Sequence, residues 1–321
     1  MWCWLDTCLY NGSLWAVQTY YSGLYRSTLG DESMSMGESS MPPVLFVVGT
    51  AGAGKSSLVR SLQRWGRYGS IDVLAVNLDP GAERVHYDPE FDVRDMIILA
   101  EVMHEYDLGP NGAQILAADL VASQAGDIAE SLDGLTGDML VVDTPGQVEL
   151  FAFREASTHL IETIGPERSA MCYLFDPMLS QSPSGFVSQM LLSAIVHFRL
   201  GIPTSNFLSK ADLLDEDTRI RILEWSERLD VLEDALYEES EGSRLLGRTG
   251  GARVEFAIQQ LRHLMQSDIA PGLKPLSSEE EEGLADLMTF VTDVFGAGAD
   301  PQDGSAGDLD HERDDWDGQH L

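Results

Sequence analysis

Positive charge is scarce in this chain of 321 residues. Lysine and arginine together number 20 against 53 aspartates and glutamates, which gives a formal net charge of −33 at pH 7. Such a surface repels polyanions, so we expect neither nucleic acid nor membrane as a direct partner. The hydrophobic content is nonetheless ordinary, at 44%, and this combination indicates a folded, halophilic protein whose self-repulsion is screened by salt.

Cysteines and long apolar runs are scarce as well. The three cysteines, Cys3, Cys8 and Cys172, form neither an even disulfide framework nor a C-x-x-C metal spacing, and Cys172 lies in the apolar run AMCYLF, which predicts a buried thiol. No run approaches the ~20 apolar residues that a membrane-spanning helix requires. We therefore expect a soluble protein in a reducing cytoplasm.

Composition divides the chain into three parts. Residues 1–40 end in the polar stretch LGDESMSMGESS and lack the basic and apolar regions of a signal peptide, so we predict a disordered extension or a start codon placed too early. Residues 41–296 are predicted to form the folded domain. Residues 297–321 are rich in Gly, Asp and Pro, which predicts an acidic disordered tail.

The most informative stretch is VLFVVGTAGAGKSSL, from Val44 to Leu58. It contains the pattern G-x-x-x-x-G-K-S between an apolar strand and helix formers, the context that distinguishes a P-loop from a simple glycine turn. Backbone N–H groups and the positive end of the following helix would surround phosphate there. We predict that Lys55 contacts the outer phosphates and that the Ser56 hydroxyl binds Mg²⁺. The other predicted phosphate-binding residues are Gly52, Ala53, Gly54 and Ser57.

Apolar runs alternate with helical stretches along the domain. Such runs predict a parallel sheet covered on both faces, and with the P-loop they indicate a three-layer α/β P-loop NTPase fold. Further strands are predicted at Ile71–Asn77, 138–143, 170–175 and 206–208, and helices at Ser56–Trp65 and Phe91–His104.

Two acidic segments follow predicted strands, at the sheet edge where ligands bind. Asp79 follows the second strand and is predicted to order the attacking water or to hold the metal shell. Asp143 begins the segment DTPGQVE and is predicted to bind Mg²⁺, while the Gly146 N–H would sense the γ-phosphate. Gln147 is predicted to position water, with Glu149 nearby.

The segment SKAD, from Ser209 to Asp212, is close to the N-K-x-D element that recognises guanine. Asp212 would accept hydrogen bonds from N1–H and the exocyclic amine of guanine, and the stem of Lys210 would lie along the base. Adenine would leave that carboxylate unpaired, so the sequence favours GTP over ATP. Ser277 or Ser278 is predicted to close over the base.

These residues together resemble the GPN-loop GTPases, of archaeal type within the SIMIBI class of P-loop NTPases, over roughly residues 42–296. The naming element is Gly109-Pro110-Asn111, supported by NLDPG, by the Y-x-P-x-x-D-x-R-D string from Tyr87 to Asp95, and by DTPGQVE. Ser209 departs from the family, which has Thr or Asn before K-x-D. The resemblance implies a homodimer in which Asn111 enters the partner's active site, near the γ-phosphate and the attacking water. It also implies that Asp79, Gln147 and Glu149 place that water.

The carboxyl-terminal part of the domain is less informative. The spacing of apolar residues in 215–239 predicts helix with a packed stripe of Ile220, Leu223, Leu229 and Leu232. The resemblance implies a helical insertion here, which serves either core packing or a partner surface. Glu279–Glu282 are predicted to begin the final helix, where acidic side chains suit the dipole. The histidines lack metal-ligand spacing.

The predicted function is a Mg²⁺-dependent GTPase that hydrolyses GTP to GDP and phosphate. Two alternatives stay open: a P-loop ATPase or small-molecule kinase, and a nucleotide-gated assembly factor whose slow turnover only resets a partner-binding surface. Related eukaryotic proteins act in RNA polymerase assembly, so the resemblance implies a protein client of that kind.

The net charge of −33 leads to a prediction about salt. We expect the thermal unfolding midpoint to rise as KCl is raised above about 1 M, because the Debye length then falls to ~3 Å and repulsion between carboxylates is screened. A fluorescence-monitored melting series in KCl and in NaCl measures this. Full stability in dilute buffer without added salt would contradict the halophilic interpretation.

Overall fold

The sheet is the framework of the molecule. In a computed structural model, described for residues 41–245, 251–265 and 272–296, seven strands pair in parallel throughout. They are β1 (Val44–Gly49), β2 (Val73–Asn77), β3 (Pro89–Asp92), β4 (Met139–Asp143), β5 (Ser169–Phe175), β6 (Thr204–Leu208) and β7 (Lys274–Pro275). Their spatial order is β3-β2-β4-β1-β5-β6-β7. The carboxyl ends of β1, β2 and β4 therefore lie side by side.

Helices connect the strands and cover both faces. The α-helices of the described residues are α1 (Lys55–Gly69), α2 (Leu99–Glu105), α3 (Pro110–Ser123), α4 (Ala125–Asp133), α5 (Val148–Ala152), α6 (Glu155–Ile164), α7 (Pro177–Ser180), α8 (Pro183–Leu200), α9 (Glu216–Glu227), α10 (Leu229–Leu245), α11 (Gly251–Met265) and α12 (Leu284–Gly296). Short 3₁₀ helices are formed by Val93–Asp95, Pro166–Arg168 and Ala211–Leu213.

The central strands are apolar along their whole length because both faces of the sheet are covered. Leu45 and Val47 face a layer formed by α1 and α12, whereas Phe46 and Val48 face the opposite layer. That second layer includes buried side chains of α3, α4, α6 and α8, among them Ala117, Ile128, Leu160 and Phe186. The three-layer α/β fold predicted from the sequence is confirmed.

Most predicted elements occur where the sequence places them. The strands after the P-loop match within a few residues, Cys172 is fully buried in β5, and α9 to α11 form the predicted helical insertion between β6 and β7. No helix of residues 41–245, 251–265 or 272–296 has the length and apolar character needed to span a bilayer.

The predicted helix Phe91–His104 is wrong at its start. Phe91 and Asp92 pair with Val76 and Asn77 as part of β3, and a 3₁₀ turn intervenes before α2 begins at Leu99. The Asp92 side chain accepts a hydrogen bond from the Arg94 N–H and caps that turn. Pairing with β2 therefore overrides the local helical pattern.

The predicted apolar stripe of the insertion is also only partly correct. Leu232 is buried, and Leu223 and Leu229 pack against the core, but Ile220 is 53% exposed. The chain is extended at Arg228 between α9 and α10. The apolar positions of the two helices therefore do not continue along one helical face. The inward positions of α9 are Ile222 and Trp225 instead.

Glu279–Glu282 do not begin the final helix, which starts at Leu284. They form a turn before it, ending at Gly283, which has φ 76°. A Cβ at Gly283 would lie 2.1 Å from the carbonyl oxygen of Pro275, so only glycine fits there. The predictions for residues 1–40 and 297–321 lie outside the described residues.

The packing of α8 leads to a stability prediction. Phe186 is fully buried, and its ring lies 6.0 Å from that of Phe175 and 5.9 Å from that of Trp225. We expect Phe186→Ala to lower the free energy of unfolding by about 3–5 kcal/mol, because it leaves a cavity between β5, α8 and α9. Urea denaturation at constant salt measures the change.

Phe198→Ala is the matched control, because Phe198 lies on the same helix and is 83% exposed. We expect it to change the free energy of unfolding by no more than about 0.5 kcal/mol. Equal effects of the two substitutions would contradict the packing described here.

Candidate functional site

The loop between β1 and α1 forms a phosphate cradle. Gly52 and Gly54 have φ values of 79° and 96°, which L side chains rarely adopt, and they turn the chain sharply into α1. The Ala53 N–H bonds the Thr50 carbonyl at 3.1 Å. The loop therefore has the backbone shape that the G-x-x-x-x-G-K-S pattern predicts.

The ammonium group of Lys55 lies at the centre of this cradle. Its Nζ donates to the carbonyl oxygens of Gly49 at 2.9 Å, Thr50 at 3.2 Å and Gly146 at 2.9 Å. Burial lowers the pKa of Lys55, while the nearby carboxylates of Asp143 and Asp79 raise it in part. Lys55 thus joins the P-loop to the DTPGQ loop.

Asp143 and Ser56 lie together beside Lys55. Asp143 is buried at the end of β4, and its Oδ2 accepts a hydrogen bond from the Tyr87 hydroxyl at 3.0 Å. Burial raises the pKa of Asp143, and Ser56 and Tyr87, which face the carboxylate, oppose that rise. The second oxygen, Oδ1, is buried without a hydrogen-bond partner.

This arrangement fits Mg²⁺. The unpartnered Oδ1 of Asp143 and the Ser56 hydroxyl are hard oxygen donors, and Mg²⁺ in phosphate sites takes one or two protein oxygens and completes its shell with phosphate and water. Among the residues that the structure describes, no three or more His, Cys, Asp or Glu side chains form a metal cluster. Asp143 and Ser56 are the residues that would hold the ion.

Asp79 follows β2 and contacts the DTPGQ loop, which follows the neighbouring strand β4. Its Oδ1 accepts from the Gly81 N–H at 2.9 Å and its Oδ2 from the Gly146 N–H at 3.2 Å. Burial raises its pKa, and those two N–H groups and the charge of Lys55 lower it in part. The Asp79 carboxylate is thus held by two backbone N–H groups, one of them from the DTPGQ loop.

The loop carrying Asp79 is held by a polar network. The Asn77 side chain accepts from the Asp79 N–H at 3.0 Å and donates to Asp92 at 2.9 Å. Arg94 bonds both oxygens of Asp92 and donates to the Ala82 carbonyl at 3.0 Å. Asp92 and Arg94 thus support the site rather than head a helix.

Gln147 and Glu149 are exposed at the start of α5. Gln147 directly precedes α5 and its side chain makes no capping hydrogen bond. Burial raises the pKa of the Tyr173 hydroxyl, and the negative charge of Glu149 raises it further. Both residues follow Gly146 within three positions of the chain.

A separate cavity of about 190 Å³ adjoins the P-loop. Lys210 donates from Nζ to the Gly52 carbonyl at 2.5 Å. A Cβ added to Gly54 would lie 3.4 Å from the Lys210 Cε, so the aliphatic part of the Lys210 side chain crosses the P-loop. The cavity is lined by Ala53, Gly54, Ser57, Leu174, Ser209, Lys210, Asp212, Leu213, Leu276, Ser278 and Glu279. The structure thus brings the two predicted base-binding residues to one cavity with the P-loop.

Ser278 and Glu279, not Ser277, line that cavity. Ser277 is fully buried, and its hydroxyl accepts from the Glu280 N–H at 3.1 Å. The hydroxyl therefore stabilises the turn before α12. The Ser278 carbonyl is held by the Ser61 hydroxyl at 2.9 Å, which fixes the turn against α1.

The GPN tripeptide begins α3, with Pro110 at its first position. Gly109, Pro110 and Asn111 are all exposed. One turn later on α3, Gln114 approaches Asp79. A Cβ added to Gly81 would lie 3.3 Å from the Gln114 Nε2 and 3.2 Å from the Asp79 Oδ1, so both side chains border Gly81. The tripeptide is therefore close to Asp79 but faces outward.

Sequence reasoning missed the roles of Tyr87 and Gln114. Tyr87 is separated from Asp143 by 56 positions, so no local pattern predicts the contact, although Tyr87 belongs to the Y-x-P-x-x-D-x-R-D string. Gln114 follows the GPN tripeptide by three residues, and its helical spacing from Asn111 could have indicated a shared face.

Comparison with known proteins agrees with this geometry. A family profile described as "Conserved hypothetical ATP binding protein" matches residues 47–297. The GPN-loop GTPase PAB0955 of Pyrococcus abyssi is 29% identical over 262 residues, covering 78% of this chain and 97% of the relative. GPN-loop GTPase 3 of Saccharomyces cerevisiae is 29% identical, covering 78% of this chain and 91% of the relative.

The fold is similar as well. The crystal structure of PAB0955, described as a GTPase in apo form, superposes with a TM-score of 0.68 at 28% identity, covering 79% of this chain and 97% of the other. The profile match spans well over half of the chain, and PAB0955 matches this chain over 97% of its own length with the same architecture. The chain therefore belongs to the family of the GPN-loop GTPases.

Proposed function

We propose that the protein is a Mg²⁺-dependent GTPase that hydrolyses GTP to GDP and phosphate and acts as a homodimeric, nucleotide-switched assembly factor. The observation that carries this proposal is the cavity that joins Ser57 and Gly54 of the P-loop to Asp212. One nucleotide would place its phosphates against Lys55 and its base in that cavity.

The side chains of the cavity favour guanine. Asp212 offers only acceptors when ionised, which suits the N1–H and amine of guanine but leaves adenine without a matching donor at N1. Sites that hydrogen-bond a substrate in this way reject an analogue lacking the donor by factors of about 10⁴ or more. This supports GTP over the ATPase or kinase alternative, despite the wording of the family description.

The contacts of Gly146 support a switch. Its N–H bonds Asp79 and its carbonyl bonds Lys55, so a γ-phosphate that took both donors would free the Asp79 carboxylate to orient water. Mg²⁺ held by Ser56 and Asp143 would neutralise charge on the phosphates. Catalysis would then rest on positioning and charge stabilisation.

Exposed apolar groups around the GPN tripeptide support a homodimer. Ile115, four residues after Asn111 on α3 and therefore on the same helical face, is exposed, as are Met96, Ile98 and Tyr106. Large exposed apolar side chains on the segments before and within α3 favour an interaction surface there. A second copy of the chain would cover them and bring each Asn111 to the other active site.

The carboxyl end of α5 supports a nucleotide-dependent partner surface. Arg199 donates to the Ala152 carbonyl at 2.8 Å and its guanidinium stacks 5.7 Å from the ring of Phe153, which is exposed. Gly146 and Phe153 are thus connected by one short helix. The acidity of the chain argues for a cytoplasmic protein client rather than nucleic acid or membrane; RNA polymerase is the client that the family resemblance implies.

The base assignment can be tested with Asp212→Asn. We expect GTP affinity to fall on the order of 100-fold or more, because the amide presents a donor where guanine also presents donors. Xanthosine triphosphate, which carries a carbonyl in place of the amine, should bind the variant better than GTP. Titration with fluorescent GTP, ATP and XTP measures all three.

Asp215→Asn is the matched control, because Asp215 is exposed and caps α9 through Thr218, a role that asparagine fills equally well. It should leave the affinities unchanged. Tighter binding of ATP than of GTP by the natural protein would reject the assignment of Asp212.

The role of the GPN tripeptide can be tested with Asn111→Ala. We expect GTP binding to be retained and hydrolysis to fall about 100-fold, as for other single positioning groups in active sites. Nucleotide titration and phosphate release measure the two properties. Unchanged turnover would show that the loop has no catalytic role.

A mixing experiment separates action within one subunit from action across a dimer. The Asp212→Asn subunit cannot bind GTP well but carries Asn111, whereas Asn111→Ala binds GTP but lacks the amide. If Asn111 acts across the interface, mixing the variants restores hydrolysis, and light scattering gives twice the 35.2 kDa of one chain. No recovery in a mixture of proven dimers would contradict the shared site.

A further inference from the structure

We propose that Tyr87 is the positioning residue of the divalent-cation site: its hydroxyl holds one oxygen of Asp143 and thereby presents the other oxygen to the ion beside Ser56. The inference rests on the proposed Mg²⁺-dependent GTPase function. It assigns a role to a residue that contacts neither nucleotide nor ion itself.

The geometry of the Asp143 carboxylate carries the inference. Its Oδ2 accepts from the Tyr87 hydroxyl at 3.0 Å, whereas its Oδ1 is buried and unpartnered. A carboxylate can rotate about its last bond, and the phenol fixes that rotation because an ionised carboxylate only accepts. The free oxygen is therefore held in one orientation.

Tyr87 is itself anchored to the helix that carries Ser56. The neighbouring Asp88 accepts at its carbonyl from the Gln63 side chain at 2.8 Å and donates from its N–H to the same amide at 3.3 Å. Gln63 lies on α1 and is buried. Tyr87 also belongs to the same buried core cluster as Leu58 and Leu62 of α1.

These contacts connect the two proposed ion ligands through one side chain. Ser56 lies in the first turn of α1 and Asp143 ends β4, so the distance between them depends on how α1 lies against the sheet. Tyr87 bonds Asp143 directly and is fixed to α1 through Asp88 and Gln63. It therefore sets both the orientation of one ligand and its spacing from the other, as outer-sphere partners do at metal sites.

Tyr87→Phe tests the inference, because it removes the hydroxyl and keeps the ring in the core. The test uses the full-length Tyr87→Phe protein loaded with GDP and measures the Mg²⁺ concentration at which the slowing of GDP release is half-maximal. We expect that concentration to be about 10-fold higher or more than in the natural protein, because the cation binds more weakly. Mn²⁺ titration followed by electron paramagnetic resonance should show the same loss. GDP affinity in EDTA should stay as in the natural protein.

Tyr173→Phe is the matched control. Tyr173 is buried as well, and its hydroxyl has no hydrogen-bond partner, so the same deletion there should leave the cation dependence unchanged. A second variant, Gln63→Met, keeps the hydroxyl but releases the Asp88 anchor. We expect it to shift the Mg²⁺ dependence in the same direction, by a smaller factor.

The outcomes separate the inference from the function on which it rests. If the natural protein binds GDP without any response to Mg²⁺, the proposed cation dependence fails. Suppose instead that GDP release from the natural protein responds to Mg²⁺. If Tyr87→Phe then shows the same response and circular dichroism shows that it is folded, the role of Tyr87 is overturned. If Tyr87→Phe does not fold, an unchanged Mg²⁺ response in Gln63→Met overturns it.

Discussion

One buried ammonium group holds the active site together. All three donors of Lys55 are occupied by carbonyl oxygens, two from the P-loop region and one from Gly146. An unpaired charge at this depth would be costly, so the DTPGQ loop is held against the P-loop by the need of Lys55 for acceptors. Phosphate would bind by replacing carbonyl oxygens, not by filling an unsatisfied group.

The charge balance around that group supports the proposed divalent cation. Lys55 faces two carboxylates, Asp79 and Asp143, and burial raises the pKa of each. Phosphate groups would add further negative charge to a site that already has more acids than bases. A divalent ion between Asp143 and the phosphates would remove most of that repulsion.

The rest of the molecule uses its few cations internally. Several arginines pair with acids between elements, as in Arg154 with Asp119 on α3, and Arg219 with Glu282 before α12. Two of the three lysines, Lys55 and Lys210, donate to P-loop carbonyl oxygens. On the proposed function, local amides and two lysines would attract the nucleotide, while the overall charge of the chain would repel other polyanions.

The sequence predicts those parts of the fold and site that depend on local patterns. Central strands such as β1 are continuous apolar runs, and Asp79, Asp143 and Asp212 are recognisable because each follows a strand. The short strand β3 was not predicted, because Pro89–Asp92 has no apolar run and forms only by pairing with β2. The contacts of Tyr87 with Asp143 and of Gln114 near Gly81 join distant positions, and only the tertiary structure determines them.

The short helix α5 has a mechanical consequence. It has only five residues and begins just after Gly146. At its far end, Arg199 donates hydrogen bonds to the carbonyl oxygens of Ala152 and Phe153. Because α5 is held at its carboxyl end, displacement of its amino end rotates the helix about the carboxyl end. Loss of a phosphate at Gly146 would therefore reach the outside of the protein as a tilt about Arg199 and not as a sliding movement.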